Sequence, residues 1–290
     1  MSRTASKSIN YSIFQLIKTK SGHLSFESRN GMTKRLTQMA KELQELGFIL
    51  RNINSLKQKH ISALVEHWKT RELSTGTIKN RMADLRFVCR AQGRDAVVKS
   101  NEEYGIENRS YAPTQNKATQ EADFSNIQDP YLKLSLELQK AFGLRREECL
   151  KIIPALADQG DHLWLKGSWT KGNVERLVPI RTETQRELLN KAKAFVKDGS
   201  LIPSDKKYIQ QRNLYEKETR ALGFKNLHGL RHAYAQMRYQ ELTGSIPPIN
   251  GGKKRSTMNL KEKRLDLFAR TKISHELGHS RSSITKTYIG

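Results

Sequence analysis

H-G-L-R-H at 228–232 and L-G-H-S-R-S-S-I-T-K-T-Y-I-G at 277–290 decide how this chain is read. Residues three apart on a helix point the same way, so His228 and Arg231 share a face. His279 and Tyr288 frame a short polar run behind them. Upstream, Arg145 in G-L-R-R-E-E (143–148) and Lys171 in T-K-G-N-V-E-R-L-V-P (170–179) are candidates for the same cluster. A phosphodiester in transfer gathers charge on its non-bridging oxygens, and guanidinium forks match that geometry bidentately. Imidazoles exchange protons near neutrality, and a phenol can attack phosphorus. Lys171, on the turn of a hairpin, can give a proton to a leaving oxygen, a role that commonly contributes about 10²–10⁴-fold. Charge stabilisation by two arginines, a lysine and two histidines calls for no metal and no cofactor. Singly, each residue has a plain alternative. Arg145 and Arg146 can pair with Glu147 or Glu148, Lys171 can be an ordinary turn lysine, His228 a helix cap, and Tyr288 an aromatic that pins the terminus.

The composition around this set favours a polyanionic partner. Lys and Arg number 52 against 29 Asp and Glu, a net charge of +23 that a nucleic acid would offset. A ribosomal or membrane-surface attachment fits the charge less well. Cys89 and Cys149 both lie in apolar-patterned segments and read as reduced core thiols of a cytoplasmic, nucleoid-associated protein. No run has the length of a signal peptide or the roughly 20 apolar residues of a membrane span.

Patterning divides the 290 residues into an N-terminal arm (1–27), a helical DNA-binding domain (28–105), a linker (106–123) and a second domain (124–290). The arm is expected to be loose, with one short element around Tyr11, Ile13, Phe14, Leu16 and Ile17. Three helices follow. Their stripes are Met32, Leu36, Met39, Leu43 and Leu46; then Ile61, Leu64, Val65 and Trp68, with Ser55 as the N-cap; then Ile78, Met82, Leu85, Val88 and Cys89. Lys79, Arg81 and Arg86 are left as DNA-contact candidates. In the second domain Leu134, Leu138, Phe142, Leu144, Cys149 and Ile152 face inward. Residues 161–180 read as a hairpin with Trp169, Leu177, Val178 and Ile180 as strand-like members. Leu230, Tyr234 and Met237 form an inner stripe. Residues 244–264 read as an exposed basic loop in which Lys253, Lys254 and Arg255 are further DNA candidates, before a helix around Leu265–Leu277.

Order and spacing together resemble the tyrosine recombinase, or phage-type integrase, family. G-L-R-R-E-E matches its G-L-R-x-x-E box, with Glu148 at the matching glutamate; T-K-G-N-V-E-R-L-V-P matches its lysine hairpin. H-G-L-R-H matches H-x-L-R-H, and L-G-H-S precedes Tyr288 at the family's nine-residue interval. The resemblance implies a mainly α fold, with a helical, SAM-like core-binding domain and a mostly helical catalytic domain carrying a small antiparallel β-hairpin. The two domains would grip a duplex from two faces. It implies a site-specific recombinase of a mobile element, acting on double-stranded DNA through a 3′-phosphotyrosine. Arg145, Lys171, His228, Arg231, His279 and Tyr288 would be catalytic, and the first five are expected to line one basic pocket from which Tyr288 can stand displaced. A homo-tetramer in synapsis, a monomer when free and an optional accessory DNA-bending protein follow as partners. Only Ile289 and Gly290 follow Tyr288, so the expectation is that either assembly uses another surface or nothing is exchanged between subunits at that point. Two other readings compete: a type IB-like topoisomerase, and a non-catalytic basic DNA-binding protein. H-E-L-G-H at 275–279 also fits the zinc pattern H-E-x-x-H, but no third ligand is evident and Glu276 reads as a surface or capping residue.

Overall fold

The computed structural model describes residues 3–109, 111, 113, 115–224 and 227–290, with residues 3–8 through their backbone alone. Positions 1–2 of the expected arm and 110, 112 and 114 of the expected linker lie outside the described residues. Contacts divide the chain into two units, Met1–Ser110 and Tyr111–Gly290.

The first unit is built on α1 (Arg3–Lys20), α2 (Phe26–Glu45), α3 (Gln58–Thr70) and α4 (Thr75–Arg90). The loose arm is corrected here. Ile9, Ile13, Leu16 and Ile17 form one stripe of α1 and enter the same core as the stripes of α2, α3 and α4. A buried aliphatic contributes about 1.5–3 kcal/mol, so a helix that inserts four is held to its unit. Ser25 and Ser74 cap α2 and α4 by accepting from Ser28 N–H and Thr77 N–H. At α3 the N-cap is Lys57, whose N–H donates to His60 Nδ1 at 3.0 Å, while Ser55 closes a separate 3₁₀ turn. Leu46 falls past the end of α2 and faces outward.

Arg81 is turned inward. Its guanidinium lies 5.1 Å from the Trp68 ring and donates to Glu42, which also accepts from Trp68 Nε1 at 2.7 Å. Asp84, equally buried, accepts from Arg35 at 2.5 and 3.0 Å. Each buried carboxylate thus has one guanidinium.

The second unit runs α5 (Pro130–Phe142), α6 (Arg146–Lys151), α7 (Pro154–Ala157), β1 (His162–Leu165), β2 (Arg176–Pro179), α8 (Glu183–Val196), α9 (Tyr208–Ala221), α10 (His228–Thr243), α11 (Leu260–Glu276) and α12 (Lys286–Ile289). It is mainly helical with one small antiparallel pair, in which His162 faces Pro179 and Leu165 faces Arg176. The hairpin connection is wider than an Asn-Gly turn. It carries two 3₁₀ turns, and Trp169 is buried in the first instead of on a strand. Asp129 caps α5, Pro130 occupies its first turn, and Gly143 ends it at φ +60. A Cβ there would lie 2.7 Å from the Tyr234 ring, so the turn and the close approach of α10 both require glycine.

Leu230 and Tyr234 are buried as expected, but Met237 faces solvent. Asn259 and Glu262 form a capping box that starts α11 before the expected Leu265, shortening the basic loop. Part of the expected linker packs onto this unit: Thr119 N–H donates to Gly229 O, and Ala122 enters the core. Among the described residues no helix is long and apolar enough to cross a membrane.

Candidate active site

Arg145 is the N-cap of α6, and its backbone N–H donates to Glu148 Oε2 at 2.6 Å. Its Nη1 donates to Glu148 Oε1 at 2.9 Å and its Nη2 to the Leu277 carbonyl at 3.0 Å. Arg231 comes from the first turn of α10 and is almost fully buried. It donates to Gly143 O at 2.6 Å and, through Nη2, to the same Leu277 carbonyl. Two arginines far apart in sequence therefore meet on one oxygen, where α11 ends and Gly278 turns the chain at φ +66. A Cβ at 278 would sit 2.9 Å from Arg176 Cδ and 3.2 Å from Arg145 Nη1. Glycine is what lets the turn lie against both side chains.

Beneath them, fully buried Glu148 accepts from Arg176 Nη1 and Nη2, each at 2.6 Å. Burial pushes this carboxyl's pKa up, but Arg176, then Arg145 and Arg231, draw it down to about 2. Arg176 Nε also donates to Glu276 O at 2.9 Å. The nest thus holds three guanidiniums and one carboxylate. Arg231 registers the imbalance: burial, then Arg145 and Arg176, lower its pKa to about 10 against the pull of Tyr288 and Glu148. Its Nε is buried without a hydrogen-bond partner among the described residues.

Three imidazoles surround the phenol of Tyr288, which is 4% exposed. His279 Nε2 and Tyr288 Oη share a hydrogen bond of 3.1 Å, the phenol donating when the ring proton is on Nδ1. The rings of His228 and His232 lie 5.9 and 4.7 Å from the Tyr288 ring. Burial and the neighbouring arginines lower His279 to about 4; burial, His228, Lys117 and Arg231 do the same for His232. His228 keeps an exposed edge, yet protein crowding on its inner side, with Arg231 and Arg145, lowers its pKa too. Tyr288 is not displaced. Gln236 Nε2 donates to its carbonyl at 3.0 Å, Arg270 donates to Gly290 O at 2.8 Å, and Ile289 is fully buried.

The structure thus brings together Arg145, His228, Arg231, His279 and Tyr288. It does not bring Lys171 to them. That side chain is exposed on the 3₁₀ turn between β1 and β2, with no hydrogen bond or ion pair among the described residues. The DNA candidates also separate. Arg81 is engaged inside the first unit. Lys79 donates to Asn108 at 3.1 Å, and Arg86 to Lys99 O and Asn101 at 2.9 Å. Lys253 pairs with Glu262 and Arg255 with Asp266, while Lys254 is exposed.

Glu276 is neither a surface nor a capping residue. It is buried, accepting from Tyr234 Oη at 2.8 Å and Arg238 Nε at 3.0 and 3.1 Å. The zinc spacing also fails in space, because α11 ends at Glu276 and His275 is exposed while His279 lies beyond the helix. Among the described residues no group of three or more His, Cys, Asp or Glu is arranged to hold a metal. Sequence reasoning missed Arg176, His232 and Lys117. Arg176 left a signal: on a strand that buries 176 and 178 and exposes 177, an arginine on the inward side demands a buried anion.

Residues 6–98 match the family model described as phage integrase, N-terminal, and residues 105–237 the model described as integrase. His279 and Tyr288 fall beyond both matched segments. No curated protein matches the chain. Among solved structures, a lambda integrase dimer bound to a COC′ core site is 13% identical with a TM-score of 0.59, over 97% of this chain and 76% of that one. XerH site-specific recombinase bound to palindromic difH substrate is 17% identical at a TM-score of 0.56, over 92% and 77%. The Tn1549 transposon integrase in complex with circular intermediate DNA is 14% identical at 0.53, over 96% and 95%. At these identities the likeness is one of fold.

Proposed function

The chain belongs to the phage integrase family of tyrosine recombinases, whose activity is site-specific breaking and rejoining of DNA strands, and from that premise we propose that Tyr288 is the nucleophile of this reaction. The observation that carries the reading is the convergence of Arg145 and Arg231 on one carbonyl oxygen beside a phenol ringed by three imidazoles.

The two guanidiniums hold the non-bridging oxygens of the scissile phosphate, each as a fork of fixed donors. Tyr288 Oη loses its proton to His228 and bonds to phosphorus as the bond to the 5′ oxygen breaks. Lys171, swung in from the hairpin turn, protonates that oxygen. A free lysine on an exposed turn suits a group that engages only when DNA is bound. His279, which holds the phenol in the free protein, hydrogen-bonds the phosphate once it is seated. The product is a 3′-phosphotyrosyl bond and a free 5′ hydroxyl. Attack by a partner strand's 5′ hydroxyl reverses every step, so no external energy source enters.

A lambda integrase tetramer has been solved on a Holliday junction. We propose that this chain likewise acts as a tetramer in synapsis and is monomeric when free, with an accessory DNA-bending protein as an optional partner. Lys254, exposed, and Lys79, at the start of α4, are the candidates best placed to add phosphate contacts.

A duplex nicked beside the cleavage site traps the covalent product, because the short leaving strand diffuses away. On a denaturing gel the wild type is expected to carry DNA and Tyr288→Phe to carry none. Salt-sensitive binding without a covalent band would leave only a basic DNA-binding protein. Relaxation of any supercoiled plasmid by monomer would indicate a topoisomerase instead.

A further inference from the structure

Arg176 has no part in the reaction just described, yet Nε and both Nη atoms of its guanidinium are engaged beneath it. We propose that Arg176 is a positioning residue that acts as the counter-ion of Glu148 and so leaves the charge of Arg145 available to the scissile phosphate. The inference rests on the recombinase reading.

Glu148 is fully buried and must be ionised to accept the bonds it makes, so it needs a cation. Two guanidiniums reach it. Arg176 gives it both ends of its fork at 2.6 Å, and its own side chain is only 5% exposed. Arg145 gives one Nη at 2.9 Å and keeps Nη2 turned to the Leu277 carbonyl, with its side chain 21% exposed. The fully desolvated pair is Arg176–Glu148, and the partly open guanidinium is the one left over. Without Arg176, Glu148 would draw Arg145 into the same bidentate fork, turning its donors inward and cancelling its charge. Arg176 is itself fixed at three points: the Glu148 fork, the Glu276 carbonyl and the glycine turn at 278, where only a hydrogen fits over its Cδ. Being the first residue of β2, it also ties the strand that leaves the Lys171 turn to α6 and α11.

Cleavage of the nicked duplex is measured in single turnover, for an ordinary scissile phosphate and for a methylphosphonate, which carries no charge there. Arg176→Met is expected to lose about 100-fold on the phosphodiester. On the methylphosphonate it should stay within about threefold of the wild type, since the charge that Arg145 would answer is gone. The double variant E148Q/R176M removes both charges and should regain about tenfold over R176M on the phosphodiester. An equal loss on both substrates, or no recovery in the double variant, would make Arg176 a structural brace and overturn the proposal. So would an R176M that cleaves the phosphodiester like the wild type. If R176M does not fold by circular dichroism, Arg176→Gln, which also removes the cation but keeps a polar donor toward Glu148, carries the same two-substrate comparison, read by the same criteria. A wild type that traps no phosphodiester DNA sinks the recombinase reading itself, an outcome distinct from all of these.

Discussion

In the first unit Glu42 is closed off by Arg81 and Trp68 and Asp84 by Arg35, one guanidinium to each carboxylate. In the second, around the end of α11, Arg145, Arg176 and Arg231 face the single carboxylate of Glu148. The carboxylates of both sets are buried, and burying them costs desolvation. Only the first is balanced, and balance is what folding alone would select, because an uncompensated buried cation is unfavourable without a ligand. The excess in the second unit is understood once a phosphate is placed in it. The same unit supplies a control: Arg238 and Arg181 pair with Glu276 and Glu241 a few residues away, and there the charges cancel again.

The comparison breaks most sharply at Glu42. Glu42→Ala would leave a buried guanidinium and an indole N–H unpaired, and is expected to destabilise the first unit by about 3–5 kcal/mol in chemical denaturation. The cleavage rate of DNA already bound by folded protein should not change. Arg231→Lys reverses the pattern. It keeps the charge but loses the fork, and single-turnover cleavage should fall by about 10²–10³-fold while the folded population remains intact by circular dichroism. If Arg231→Lys unfolded the chain and Glu42→Ala slowed chemistry, the assignment of one charge set to folding and the other to catalysis would be reversed.

Lys171→Ala should slow cleavage about 100-fold. Its stability should stay within about 0.5 kcal/mol of the wild type, as befits an exposed turn lysine. A duplex whose bridging 5′ oxygen is replaced by sulfur, a leaving atom that needs no proton, should restore the rate. Failure of that rescue would remove Lys171 from the acid role.

The smallest effect is in pH. His279 and His232 are lowered to about 4 from an ordinary 6.5, so between those values the unfolded chain binds protons that the folded chain does not. Stability is therefore full above pH 6.5 and falls as pH drops toward 4. His60 of the first unit, lowered by burial and by Lys59 and Lys57, adds the same sign. The informative quantity is thus the change on His279→Gln, which should flatten the fall in melting temperature between pH 6.5 and 4.5. An unchanged slope would mean that His279 is not held neutral by burial and the arginines.

Local pattern made much of this legible. The stripes of α2, α3 and α4 are buried nearly as spaced, and the two glycines that bracket the arginines stand where the motifs break. Patterns that mix two faces were harder. In α1 the outward Tyr11 and Phe14 sit among inward aliphatics and blur the amphipathic stripe. Charge partners distant in sequence were out of reach. Nothing near Arg81 points to Glu42, so that buried guanidinium reads as a surface one, and the strand alternation that turns Arg176 inward does not name Glu148 as its partner. Arg255 and Lys253 show the converse: a basic loop loses its excess charge to Asp266 and Glu262, acids that α11 brings alongside.

The central claim is that the unbalanced positive charge of the second unit exists to present a phosphodiester to one phenol. The most direct test digests the trapped DNA–protein adduct with trypsin and nuclease and maps the attached nucleotide by mass spectrometry. The account predicts a 3′-phosphonucleotide on the peptide Thr287–Gly290, carried by Tyr288. A nucleotide on Tyr234, Tyr239 or any other residue would contradict it.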